Sequence, residues 1–245
     1  APQSFLQEMM LYTYEQVDLP DAEIPPLGEV SSTKLRRFVL NTSKLGGMAM
    51  RLKWFAEKNI EPRMESCSVV SRNQAMKDGE ACLVSRNEPM HDSVRYLQNS
   101  LPNETDILHE YFVSPDRFGD FVAAAKAIIP GSYQELLNIT LRWVAHDPVS
   151  LLSYAPQGPR IASVLLFSQE MTARAEADMQ RMTQEMIEAV LSIGGSYYLP
   201  YRPHAAVDQF RRCYGRAEEF AALKLQIDPG LRLRNALWDT YLAKV

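Results

Sequence analysis

Asn138, Thr140 and Arg142 are spaced by two in the run Asn138-Ile139-Thr140-Leu141-Arg142-Trp143. Side chains alternate faces along a strand, so this spacing lines up an amide, a hydroxyl and a guanidinium on one face. Leu137, Ile139, Leu141 and Trp143 fall on the other and should pack on helices. The polar row can grip a polyhydroxylated ligand, with arginine adding rigid donors and a fixed positive charge. It can equally be the solvated outer face of an antiparallel sheet. The second candidate is Tyr201-Arg202-Pro203-His204, where a proline sets the direction of the chain just before a histidine. That histidine is either a site residue or a structural one satisfied beside Tyr197, Tyr198 and Tyr201. The third is the turn Asp228-Pro229-Gly230, which leads into Arg232 and Asn235.

Other chemistries find no support. The three cysteines, Cys67, Cys82 and Cys213, have no metal-like spacing, and the four histidines are scattered, so no metal site is expected. No nucleophile elbow, phosphate-binding loop or dinucleotide fingerprint is present. Gly46-Gly47 and Gly194-Gly195 sit in breaks between elements, outside the strand-to-helix setting that cradles phosphate. A net charge of -4 gives no global drive toward nucleic acid. No run approaches the ~20 apolar residues of a membrane-spanning helix, so the expectation is a soluble or peripheral protein.

The elements that must position these residues begin to show clearly at Thr105. Ile107–Val113 alternates as a strand, and Ser114 with Pro115 opens a helix whose inner face is Phe118, Phe121, Val122 and Ala125. Leu136–Val144 is a second strand. Ile161–Phe167 is a third, apolar enough to be buried on both faces. Met171–Leu191 is a helix with Met179, Met182, Met186 and Val190 along its core side, and Ser196–Leu199 is a fourth strand. The order strand, helix, strand, strand, helix, strand predicts an α+β fold. It would be a split βαβ core: an antiparallel sheet with helices on one face.

The first 104 residues read as an N-terminal extension. Pro20, Pro25 and Pro26 mark a connector over roughly 17–30, and residues 60–105 read as irregular. Between them, 33–58 is helical. One stripe is Leu35, Phe38, Val39, Thr42 and Leu45; after Gly46-Gly47 a second begins at Met48, Leu52 and Phe55. Lys34, Arg36, Arg37, Lys44, Arg51, Lys53 and Lys58 stand here against one acid, Glu57. Residues 34–58 can lie on an anionic membrane surface, or form core-covering helices with a solvated basic face.

From roughly Val84 onward the chain resembles the C-terminal, substrate-side (cap) domain of FAD-linked oxidoreductases of the vanillyl-alcohol-oxidase type, nearest to the sugar-lactone and alditol oxidases. The residues carrying the resemblance are Glu110-Tyr111-Phe112-Val113, the run Asn138 to Asp147, Tyr201-Arg202-Pro203-His204 and Asp228 to Asn235. It implies a cap core at 105–200 and a segment, 201–245, returning to a flavin domain. Arg142 falls on an arginine that contacts substrate. Thr140 stands where the alditol oxidases carry Glu; a threonine cannot act as a carboxylate base, so an alditol substrate is not implied. The resemblance puts Asn138, Arg142 and Tyr201 on substrate, and makes His204, Arg142 and Thr140 the catalytic group. It turns Arg202, Arg232 and Asn235 toward FAD, with Arg232 replacing a lysine that stabilises reduced flavin. Glu110 is only a marker of the fold. The implied function is oxidation of a C–OH group of a sugar, lactone or related alcohol, with a separate FAD-binding domain or subunit as partner. The alternative is a non-catalytic ligand- or protein-binding module derived from such a cap.

Overall fold

The computed structural model describes residues 7–9, 33–44, 46–59 and 101–245. The connector at 17–30, nearly all of the irregular stretch at 60–105, and Cys67 and Cys82 lie outside them. The chain divides into two compact units, Ala1–Pro102 and Asn103–Val245, so 201–245 belongs with the sheet.

In the first unit, helix α1 (Thr33–Ser43) and helix α2 (Gly47–Asn59) are separated at Gly46. Its φ of +122° is backbone that side-chain-bearing residues rarely adopt, which is why the break falls there. The two helices pack on each other and bury Leu40 and Met50. Phe38, Met48, Leu52 and Phe55 remain exposed, so the stripe expected at Met48, Leu52 and Phe55 is not the buried side of α2. Only Met50, one residue in thirteen, is fully buried on that helix.

The second unit is an α+β fold. Its strands are β1 (Glu104–Val113), β2 (Glu135–Val144), β3 (Arg160–Glu170) and β4 (Ser196–Tyr197). They form one antiparallel sheet in the order β2-β3-β1-β4. Helices α3 (Phe118–Ile128) and α4 (Ala173–Ser192) fill the two crossovers, giving the expected split βαβ arrangement. Pro115 starts a short 3-10 turn ahead of α3, as its fixed φ favours. Ser114 precedes it, but its hydroxyl makes no cap bond; its carbonyl accepts from the Arg117 N–H instead. Thr172 does cap α4, accepting from the Ala175 N–H at 3.2 Å.

Both helices lie on one face. Tyr111 meets Phe121 of α3, and His109 meets Thr183 of α4. The methionine stripe of α4 is core: Met179, Met182 and Met186 are fully buried. Central strand β3 is buried from Ala162 to Gln169, consistent with its apolar run. The apolar face of β2 departs from expectation. Leu137 is buried, but Trp143 is 66% exposed. β2 is an edge strand and two helices span the sheet, so the outer end of β2 lies beyond their cover.

The C-terminal segment adds α5 (Val207–Cys213), α6 (Ala217–Ile227) and α7 (Ala236–Thr240). Phe210 stacks on Tyr241, and the Tyr214 hydroxyl bonds the Tyr197 carbonyl, tying this segment to β4. Gly195 enters β4 where nothing larger fits. A Cβ there would sit 2.6 Å from Val190 Cγ1 and 2.7 Å from the Phe112 carbonyl oxygen.

Candidate functional site

The face of the sheet away from the helices carries the polar row. A register shift between Leu136 and Asn138 interrupts β2, and from Asn138 onward the alternation is regular. Asn138, Thr140 and Arg142 share that face, and Asn138 Nδ2 donates to Thr140 Oγ1 at 3.3 Å. The register extends the row across the sheet. Thr140 lies opposite Val164, and Val164 opposite Glu110. Arg142 lies opposite Ala162, and Ala162 opposite Phe112. Glu110 therefore stands on the polar face, two strands from Thr140, or about 10 Å at ~4.8 Å per strand spacing.

Glu110 is half-buried, and this burial raises its carboxyl above the ordinary glutamate range. The Arg142 charge and a 3.5 Å hydrogen bond from the Tyr201 hydroxyl pull the other way. Burial and the Glu110 charge push the Tyr201 phenol up to about 12, so it stays a donor. An aromatic wall completes this face. Phe112 stacks on Tyr154 with ring centres 4.2 Å apart, and Tyr198 meets Phe112, Tyr154 and Tyr201 edge-on. The result is one carboxyl, one guanidinium, an amide and phenol hydroxyls around an apolar floor of Leu108, Val164 and Leu166. Tyrosine rings pack against the C–H faces of a sugar while their hydroxyls stay wet, and the charged pair orders its hydroxyl groups.

No protein-family model matches this chain, and neither does any curated protein.

His204 lies elsewhere. The chain leaves β4 on the polar side at Tyr201, passes the free edge of β1, and buries His204 against α4 on the helix side. Its Nε2 is 2.8 Å from Glu176 Oε1, and its Nδ1 is 3.5 Å from Thr183 Oγ1. Thr183 gives its own hydrogen to the Met179 carbonyl at 2.6 Å, so it can only accept from the imidazoles. His109 Nε2 faces the same hydroxyl at 3.4 Å, while the Tyr111 hydroxyl lies 3.2 Å from His109 Nδ1. Burial and the nearby His204 and Arg202 charges lower His109 to about 3, so it is a neutral ring. Both nitrogens of His204 thus face acceptors within the protein. The structure places His204 on the helix side, against Glu176 and Thr183, while Arg142 lies on the open face of the sheet.

Two of the residues expected to touch FAD are engaged in structural bonds. Arg202 pairs with Glu176 and reaches Gln169 Oε1 at 3.5 Å. Asn235 is the N-cap of α7, its side-chain oxygen accepting from the Trp238 N–H at 3.0 Å. Arg232 is exposed, in a turn built by Asp228, whose carboxylate accepts the Arg232 and Leu233 N–H groups at 2.9 Å each. Arg202 borders the groove beside β1, and neither Arg232 nor Asn235 lines it.

Two site residues were missed in sequence. Glu110 was legible as a strand residue, but its facing partners come from β2 and from the turn after β4. Glu176 had no sequence signal at all, since Arg202 and His204 lie more than twenty positions away. Among the described residues, no three His, Cys, Asp or Glu side chains are grouped to share a metal ion. None of the described helices is long and apolar enough to cross a membrane.

Proposed function

We propose that Asn103–Val245 is the substrate-binding (cap) half of an oxidoreductase that oxidises a C–OH group of a sugar, lactone or related alcohol. The observation that carries this reading is the placement of Glu110, Arg142 and Tyr201 on one open sheet face beside an aromatic wall. The resemblance to flavin-linked oxidases adds the cofactor: FAD, held by a partner domain or subunit, would be the hydride acceptor. The residues of this chain do the rest. Arg142 and Asn138 orient hydroxyl groups, and Thr140 offers a neutral hydroxyl. Glu110 supplies the carboxylate that the resembling enzymes carry at the Thr140 position. A carboxyl raised above the ordinary glutamate range is a better proton acceptor than an ordinary one, and general-base help of this kind is worth ~10² to 10⁴ in rate. Tyr201 holds the Glu110 carboxylate in place before it takes the proton, donating to it at 3.5 Å.

The test is anaerobic mixing of the complex, purified with its native partners, with a panel of aldonolactones. Flavin absorbance should bleach, and bleach ~10² to 10⁴ more slowly in Glu110→Gln. A yellow complex in which the Glu110→Gln variant bleaches as fast as the wild type would remove Glu110 from the chemistry.

A second reading is a non-catalytic ligand- or protein-binding module. It is favoured by the engagement of His204, Arg202 and Asn235 in structural bonds. A complex that retains its native partners and is colourless would support it.

A further inference from the structure

The turn Pro200–Pro203 carries Tyr201 onto the polar face, yet it does not pack closely on the strand it crosses. A groove of about 410 Å³ separates Pro200–Pro203 from Asp106–Leu108 of β1. Strand β4 pairs β1 only at Tyr111 and Phe112, with one further bond from the Tyr198 N–H to the Glu110 carbonyl. Beyond that point the turn needs another hold. It finds it on the opposite side of the sheet, where Glu176 of α4 takes Arg202 on one carboxylate oxygen and His204 on the other. Gln169 Nε2 donates to the same carboxylate at 2.8 Å and fixes its orientation.

The downstream end is held independently. Gln184 Nε2 donates to the His204 carbonyl at 2.9 Å, the Tyr241 hydroxyl to the Ala205 carbonyl at 3.0 Å, and the Ala206 N–H to Gln209 Oε1 at 3.0 Å. Removing Glu176 therefore leaves α5 anchored and frees the part of the chain that bears Tyr201, with the groove as space to move into.

We propose that Glu176 is a positioning residue for the open-face site: by holding Arg202 and His204 together on the helix side, it fixes the turn that sets Tyr201 against Glu110. The functional meaning of that contact rests on the reading above; the mechanical coupling does not, and it is measurable in the isolated chain. Hydrogen bonds from Gln169 and His204 and the Arg202 charge outweigh burial and keep Glu176 below the ordinary range, so it stays ionised while Glu110 titrates.

The experiment is a carboxyl-carbon NMR titration of Glu110 in the wild type, Tyr201→Phe, Glu176→Ala and the double variant. Tyr201→Phe removes a donor to the carboxylate, so the Glu110 midpoint should move up. Glu176→Ala should move it up by the same amount from across the sheet, and the double variant should move it no further. Arg202→Gln, which keeps Glu176 and His204, should give part of the same shift and serves if Glu176→Ala does not fold. An unmoved midpoint in folded Glu176→Ala and Arg202→Gln, or additive shifts in the double variant, would overturn the proposal. Coupling without any lactone effect on flavin would leave the positioning intact and remove only the oxidase reading.

Discussion

Glu110 and Arg142 sit on the same open face of the sheet, on strands separated by β3, and the Arg142 charge opposes the burial that raises the Glu110 carboxyl. Neither strand alone defines the pair. It exists because β3 pairs with both neighbours in a register that brings position 110 level with 140 and position 112 level with 142.

The first prediction concerns pH. Glu110 is raised in the folded chain, so folding favours its neutral form. That contribution is fully present below the ordinary glutamate value of ~4.3 and is lost as pH rises through the folded midpoint. Glu110→Gln should flatten this part of the stability curve, measured by urea unfolding across the acid range. Arg142→Met should move the Glu110 midpoint further up by NMR, because it removes an opposing charge.

His204 should behave as a structural residue. His204→Ala removes a buried ring together with its bonds to Glu176 and Thr183, a loss of about 1–3 kcal/mol by denaturant unfolding. In a flavin-bearing complex, the bleaching rate per folded molecule should fall far less than in Glu110→Gln. A comparable fall in both would return His204 to the chemistry.

Asp178 ties α4 to the entrance of β2. It accepts the Tyr133 N–H at 2.8 Å, Gln134 Nε2 at 2.9 Å and Arg181 Nη2 at 2.7 Å. Burial pushes its carboxyl up, but the bonds from Arg181, the Tyr133 peptide and Gln134 outweigh it and hold the group below the ordinary aspartate range. A depressed carboxyl contributes stability above its unfolded value of ~3.9 and loses it as pH falls through the folded value. Asp178→Asn should therefore cost about 1–3 kcal/mol at neutral pH, with the gap to wild type closing in acid.

Gly195→Ala tests the seat of β4. The new methyl would press on Val190 and on the Phe112 carbonyl, which is backbone and cannot yield by a rotamer change. Overpacking of this kind costs about 1–3 kcal/mol, read as a lower Tm.

Much of the fold was legible in the sequence, for local reasons. Alternation from Ile107 to Val113 and the methionine stripe of α4 each report a periodicity that one segment carries by itself. The polar row was legible in the same way, since Asn138, Thr140 and Arg142 need only the alternation of one strand. What lay opposite was not, because Glu110 joins that row through β3, and no spacing along β1 reveals it. The turn at Pro203 was visible, but a short passage around a sheet edge can end on either face. His204 ended on the face where its ring nitrogens lie against Glu176 and Thr183. β4 ends at Tyr197 rather than Leu199, although β1 continues past Tyr111 to Glu104, because the chain turns away toward Pro200.

The most direct test of the account is a map of where an aldonolactone binds. Amide and side-chain NMR signals of the chain would be followed during titration with a five-membered aldonolactone, in wild type and in the double variant Arg142→Ala with Glu110→Gln. The account predicts shifts concentrated at Glu110, Asn138, Thr140, Arg142, Tyr198 and Tyr201, and their loss in the double variant. Shifts centred on His204 and Thr183, or a response unchanged by the double variant, would contradict it.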